Sequence, residues 1–220
     1  GIPVYLGPRH AADLAKVLSS LDTVGLSRSV PADEFMVAVK REEARGKLDE
    51  LERCASCDYV IRGARIGGTS RIKVLAEIMD AHRHEDLNTA VRKAFLSGAD
   101  IVDLGFGFDA TTDDVIRCFS LVAEVPGPLA IDTQDPALIA AGLSRADLVL
   151  SLHDGNIPVI GKAVADAGDA AVIVPCQHTL EENLQLAEQA GIACLIADPL
   201  LQPVGSGLVR SLAKFPEHCR

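Results

Sequence analysis

At 220 residues, 48% hydrophobic and 24% charged, the chain has apolar content enough for one large α/β domain, or one domain with an appendage. A net charge of −10 excludes the basic face a nucleic-acid binder needs, while leaving room for an anionic small molecule held by local Arg and Lys. No apolar run approaches the roughly 18 residues of a membrane span, no signal segment is visible, and the six cysteines show no disulfide framework, so a cytoplasmic protein is expected.

In chain order, residues 1–6 form a short apolar piece, 11–21 a helical stretch and 27–31 a turn. Residues 32–53 interleave Glu with Lys and Arg and predict a solvent-facing connector helix. From Asp58 the pattern changes. Arg62-Gly63-Ala64-Arg65-Ile66-Gly67-Gly68 predicts a hairpin, with Gly67 and Gly68 serving either positive φ or a phosphate cradle. Six short apolar runs then predict strands over 73–80, 100–106, 129–133, 148–151, 171–175 and 194–198. Helices are expected over 84–97, 112–125, 136–143, 158–167, 180–190 and 208–215. Gly98, Gly168 and Gly191 fall where a left-handed C-cap wants glycine. Asp135 and Asn156 stand where N-caps precede a first-turn proline, and Thr179 with Glu182 has capping-box spacing.

Strands alternating with helices predict a parallel sheet. An open doubly wound sheet usually carries a glycine-rich first turn, and none is present; polar residues at nearly every strand end favour a (β/α)8 TIM barrel instead. The α/β fold expected is therefore such a barrel, represented by about six βα units over 58–220. Residues 27–57 would connect it to 1–26, the C-terminal end of a small α/β domain whose start is missing, and the last two barrel strands would be missing too.

The polar strand ends supply the candidate site: Asp80, Asp103, Asp132, Ser151 with Asn156 just beyond, Gln177 with His178, and Asp198. Glu77 falls inside the first strand, where an inward charge needs a partner, so it reads equally as a site residue or as half of an ion pair. Asp80 and Asp103 read equally as site residues or as partners of Arg65, Arg71 or Arg83. Asn156 serves as a helix N-cap or as a ligand contact. His82 and His84 read as a solvated basic loop or as diphosphate contacts. Cys54-Ala-Ser-Cys57 lacks a second CxxC, so no metal site is assigned.

The ordered series Gly98-Ala-Asp-Ile-Val-Asp-Leu-Gly105, Ile131-Asp132-Thr133 before Pro136, the strand at Leu148, and Asp198-Pro199 resembles the pterin-binding barrel superfamily of dihydropteroate synthases and corrinoid methyltransferases. Gly7-Pro8-Arg9-His10-Ala11-Ala12-Asp13-Leu14, Ile66-Gly67-Gly68 and Val74-Leu-Ala-Glu-Ile-Met-Asp-Ala81 are similar to the dihydropteroate synthase-related family of methanogens and methylotrophs. That resemblance spans essentially the whole chain. It implies that Asp198 takes the guanidine-like edge of the pterin, which suits a bidentate carboxylate contact, and that Asp132 holds another part of the ring. Leu150 and Ser151 stand where the superfamily places a strand-four Asn, leaving Asn156 as a substitute.

The implied activity is transfer of 6-hydroxymethyl-7,8-dihydropterin from its diphosphate to an arylamine with release of pyrophosphate, an EC 2.5.1-type alkyl/aryl transfer in tetrahydromethanopterin or folate synthesis. Mg2+ suits the diphosphate oxygens. A homodimer is the assembly the superfamily implies. No catalytic residue is assigned. Two other readings of the same barrel stay open: a pterin-binding methyltransferase working with a corrinoid protein, and a non-catalytic pterin-binding barrel.

Overall fold

Residues 32–202 and 204–212 are described by the structure, a computed structural model, except for the side chains of 32–35 and 38. The expected end of an α/β domain at 1–26 and the tail of the last helix beyond 212 lie outside the described residues. The chain divides into two compact units, one comprising Gly1–Ser56 with Gly68–Arg71, the other Cys57–Gly67 with Ile72–Arg220.

In the first unit, helix α1 (Ala32–Cys54) is charged and mostly exposed. Its end is tied to the returning chain: Arg71 donates its backbone N–H to Glu52 at 3.0 Å, and Ser56 and Thr69 exchange backbone and hydroxyl hydrogen bonds.

The second unit opens with a hairpin of β1 (Tyr59–Ile61) and β2 (Ala64–Ile66). The turn is confined to Arg62 and Gly63, tighter than the seven-residue segment expected. Six parallel strands follow, β3 (Leu75–Ile78), β4 (Ile101–Gly105), β5 (Leu129–Asp132), β6 (Leu148–Leu152), β7 (Ala170–Ile173) and β8 (Leu195–Ala197), hydrogen-bonded in sequence order. Between them run a 3-10 turn (Ala81–Arg83) and helices α2 (Leu87–Leu96), α3 (Thr112–Leu121), α4 (Pro136–Gly142), α5 (Ile157–Ala167) and α6 (Leu180–Gln189), with α7 (Leu208–Leu212) after β8. Successive helices pack on one another. An all-parallel sheet in strict sequence order, with its helices in one layer, is the arrangement of a barrel wall rather than of an open doubly wound sheet.

The caps explain the helix boundaries. Thr179 and Glu182 form the expected capping box, and Asp135 accepts the Ala137 N–H at 2.8 Å. Gly168 (φ 78°) and Gly191 (φ 92°) take the left-handed backbone that lets α5 and α6 turn into the next strand. Asn156 takes the expected N-cap position before a first-turn proline, but its side chain makes no cap hydrogen bond to α5.

Side chains alternate along each strand. Val102, Leu104, Ile131, Val149, Ala171 and Ile173 pack against helix residues such as Val91, Phe119, Ile139, Val164 and Ala187. The other face buries a smaller cluster of Ile101, Ala130, Leu148 and Ala170, with Leu150, Val172, Cys194 and Ile196 around it. Ile61, Ala64 and Ile66 join this cluster, so the β1–β2 hairpin closes the N-terminal end of the inner face. There Arg62 approaches Asp147 at 3.5 Å and donates to the Val125 carbonyl at 3.1 Å, and Asp147 also accepts the Leu129 N–H at 2.9 Å.

Asp169 stands beside Asp147 at this closed end, with Oδ2 buried and unpartnered. Burial first, and the Asp147 charge second, push its carboxyl up to about 7. A carboxyl raised in the folded state binds its proton more tightly than in the unfolded chain, so its contribution to stability is greatest at low pH. That contribution falls as pH climbs from the ordinary carboxylate range through about 7. Asp169→Asn should therefore flatten the stability profile between pH 5 and 8, measured by urea unfolding at a series of pH values. An unchanged slope would show that Asp169 is already ionised in the folded protein.

Candidate functional site

Strand register assembles the site. Glu77 pairs opposite Asp103, and Gly105 opposite Asp132. With period-two alternation, Glu77, Asp103 and Asp132 therefore share the inner face, above the Ile101–Ala130–Leu148 layer and toward the C-terminal ends of the strands. This is the end at which barrel enzymes keep their chemistry. Oxygens of the three carboxylates lie within 4.8 Å of one another.

Ser151 joins them through a bulge. Between Val149 and Leu152 β6 carries one residue more than its partner β7, and Ser151 takes φ 61°. Val149 and Leu152 both face the helix layer although three residues apart. The extra residue re-aims the strand end, and the Ser151 hydroxyl donates to Asp132 Oδ1 at 2.7 Å. A left-handed non-glycine residue costs about 1–2 kcal/mol, which the hydrogen bond and surrounding packing offset.

Asn156 is 2% exposed and committed to its own loop. Its Oδ1 accepts the His153 N–H at 2.9 Å, and its Nδ2 donates to the Ser151 carbonyl at 3.1 Å. Its side chain is thus not a cap, contrary to that expectation; both polar ends are engaged in the turn that fixes the bulge. Ser151 itself supplies the polar contact at the strand-four position.

Asp103 is 2% exposed and its Oδ1 has no hydrogen-bond partner; Arg83 pairs with Asp109 instead. Burial first, then the charges of Asp132 and Glu77, push its carboxyl up to about 8. Glu77 is exposed rather than sealed inside, so it needs no buried counter-charge. A cavity of about 540 Å³ opens beside Asp132 and Ser151, lined also by Phe106, Phe108, Thr133, Gln134 and Leu138. That volume falls within the roughly 300–1,000 Å³ of small-molecule sites.

The remaining candidates stand apart from this cluster. Asp198 follows β8, three strands from Asp132; its Oδ1 accepts the Leu200 N–H at 2.8 Å. Gln177 and His178 are exposed after β7, and their backbone N–H groups both donate to Asp154 Oδ1 at 3.2 Å. Asp154 also accepts from Asn183, which makes it a loop anchor unmarked in the sequence by any motif. Asp80 lies past β3, exposed and left-handed at φ 49°. Its carboxylate groups with His82 and Asp109 within 4.8 Å, while Asp109 pairs with Arg83. The His82 side chain is 7% exposed and stacks on Phe106 with centroids 6.4 Å apart, so it is packed rather than part of a solvated loop. His153, Asp154 and Cys176 also come within 4.8 Å, but the Gly155 N–H donates to His153 Nδ1 and Asp154 is spent on its backbone partners. Cys54 and Cys57 are free thiols.

Phe106 and Phe108, which wall the cavity, were not singled out by the sequence. Their only signal is the Gly105-Phe-Gly-Phe108 spacing immediately after a strand.

No protein-family model matches the chain. An uncharacterized protein of Methanocaldococcus jannaschii is 26% identical over 94% of this chain, which spans 43% of that relative's length. Among solved structures, dihydropteroate synthase from Yersinia pestis with a pterine–sulfa conjugate superposes with TM-score 0.62 at 19% identity, over 74% of this chain and 73% of that one. The Xanthomonas albilineans dihydropteroate synthase with 4-aminobenzoic acid gives 0.59 at 22%, over 75% and 74%. The Thermus thermophilus enzyme gives 0.59 at 20%, over 72% and 70%. The fold is thus that of the dihydropteroate synthase TIM barrel, represented by six consecutive βα units. Among the described residues no helix is long and apolar enough to cross a membrane.

Asn156→Ala should strand the His153 N–H and the Ser151 carbonyl in a buried turn and cost about 1–3 kcal/mol. Urea unfolding of the variant checks this; a loss below about 0.5 kcal/mol would mean that the loop is held by other contacts.

Proposed function

We propose that this barrel binds a reduced pterin at the C-terminal mouth and belongs to a dihydropteroate synthase-like transferase. The observation that carries the reading is the Asp132–Ser151 pair beside a cavity of about 540 Å³, in the fold that dihydropteroate synthases share. A pterin edge offers a ring N–H and an exocyclic amine in one plane, and a carboxylate accepts such a pair with charge assistance. Ser151 occupies only Oδ1 of Asp132, and the Leu200 N–H only Oδ1 of Asp198. Each acid thereby keeps an oxygen for ligand while its orientation is fixed by the other.

In the proposed reaction the bond from the pterin methylene carbon to the diphosphate oxygen breaks and a bond to the arylamine nitrogen forms. Pyrophosphate leaves with the electron pair, and the amine proton passes to solvent. The electron-rich ring carries the developing positive charge, and the Asp132 and Asp198 carboxylates stabilise it electrostatically. Phe106 and Phe108 offer apolar walls for planar rings. Asp80 and Asp109, the latter now paired with Arg83, would offer hard oxygens to a Mg2+ carried by the diphosphate, whose charge the ion would offset. The similarity to the methanogen and methylotroph family favours the aminobenzene precursor of tetrahydromethanopterin as acceptor over 4-aminobenzoate. A cytoplasmic homodimer completes the proposal.

Calorimetric titration of the full-length parent protein with 6-hydroxymethyl-7,8-dihydropterin diphosphate tests it, alongside pyrophosphate release with each arylamine. A charged hydrogen bond is worth about 1.5–3 kcal/mol, so Asp132→Asn and Asp198→Asn should each weaken binding roughly ten- to hundred-fold. Binding without pyrophosphate release from any arylamine would make the barrel a non-catalytic pterin binder. Binding indifferent to both substitutions would remove the pterin from this mouth.

A further inference from the structure

Three acidic side chains on adjacent strands meet at the floor of the mouth with nothing positive among them. Glu77 of β3, Asp103 of β4 and Asp132 of β5 present oxygens within 4.8 Å of one another. Among the described residues none of the three has an ion-pair partner. The one protein donor that reaches the group is the Ser151 hydroxyl of β6, and it serves Asp132. Asp103, in the middle, is 98% removed from solvent by the 2% exposure of its residue, and its buried Oδ1 is without a hydrogen bond. Below it lies the apolar layer of Ile101, Ala130 and Leu148, which offers neither donor nor counter-charge.

Three ionised carboxylates in that arrangement repel one another strongly, because two unit charges about 4–5 Å apart cost a few kcal/mol even at an effective dielectric of 20. Removing Asp103 from water adds to the cost. The group avoids both by keeping a proton, as closely spaced carboxylate pairs do. We infer that Asp103 keeps its proton in the free protein, held between the Glu77 and Asp132 carboxylates, and that this proton sets the charge with which the mouth meets its ligand. The direction and the cause of the Asp103 shift agree with this.

The consequence for binding rests on the pterin reading above. With the proton in place the floor of the site carries one negative charge fewer, and the Asp103 hydroxyl donates to whichever neighbour is ionised. A ligand that brings N–H donors to Asp132 replaces that donor, and because it also covers the floor from water, Asp103 keeps its proton and turns it to Glu77. Asp103 is in this sense a positioning residue. It acts through the charge and orientation of Asp132.

Infrared difference spectroscopy of the full-length protein without ligand, titrated from pH 5 to pH 9.5, reads the proton directly. The expected result is a protonated-carboxyl carbonyl component still present at pH 7 and fading on the alkaline side, lost from Asp103→Asn but kept in Asp169→Asn, which removes the other raised carboxyl. Because a buried substitution can disturb folding, Glu77→Gln at an exposed position is the second variant. Removing its charge should lower the midpoint of the same band by about one pH unit or more. Absence of that component at pH 7, or a midpoint unmoved by Glu77→Gln, would overturn the inference.

Calorimetry with the pterin diphosphate at pH 9 in buffers of different ionisation enthalpy should then show proton uptake by the parent protein and no such uptake for Asp103→Asn. A band that behaves as expected in a protein that does not bind the pterin would leave the Asp103 proton established and the pterin reading refuted. Pterin binding without that band would do the reverse.

Discussion

Backbone pairing between β3, β4 and β5 sets Glu77 opposite Asp103 and Gly105 opposite Asp132, and this register decides what the mouth of the fold can be. A slip of one residue along any of these strands would send its acid into the helix layer, where Val102, Leu104 and Ile131 now pack. The apolar pattern of the same strands fixes the register: a helix-facing residue turned inward leaves a hole in one layer and overfills the other. The acidic floor is therefore held in place by the hydrophobic effect acting on its sequence neighbours. That is why a cluster so unfavourable in isolation persists.

The strand ends differ in how much freedom this arrangement leaves them. β4 ends in a fully buried run, so Asp103 has no choice of environment. β6 escapes strict alternation through the extra residue at Ser151, and Asn156 holds the escape open from the following loop. Asp132 is oriented from β6 while belonging to β5, so loop chemistry two elements downstream fixes the residue best placed to meet a ligand. β8 lies at the edge of the described sheet, and the Leu200 N–H orients Asp198 locally instead.

Much of this was legible in the sequence. Apolar runs divided by helix-period segments marked all six parallel strands, and the capping residues at Asp135 and Thr179 marked helix starts to the residue, because both signals are local. The acids at strand ends were legible too. Which of them meet was not, since Glu77, Asp103 and Asp132 come together only through register. The bulge was hidden because Ser151 looks like any polar strand end. Asn156 misled because an Asn before Ile-Pro has the local grammar of a cap, while its actual partners, the His153 N–H and the Ser151 carbonyl, depend on a loop path that spacing does not encode. His82 read as a solvated basic residue because its packing against Phe106 comes from a different strand connection.

The central claim is that a pterin sits at the mouth between Asp132, steadied by Ser151, and Asp198, which takes its amine-bearing edge. The most direct measurement is a crystal structure of the full-length protein soaked with 6-hydroxymethyl-7,8-dihydropterin diphosphate. The account predicts ring density in the cavity beside Phe106, with hydrogen bonds from the ring to Asp132 and from the amine-bearing edge to Asp198. Density for the ring elsewhere, or an occupied cavity in which Asp132 makes no ligand contact, would contradict it.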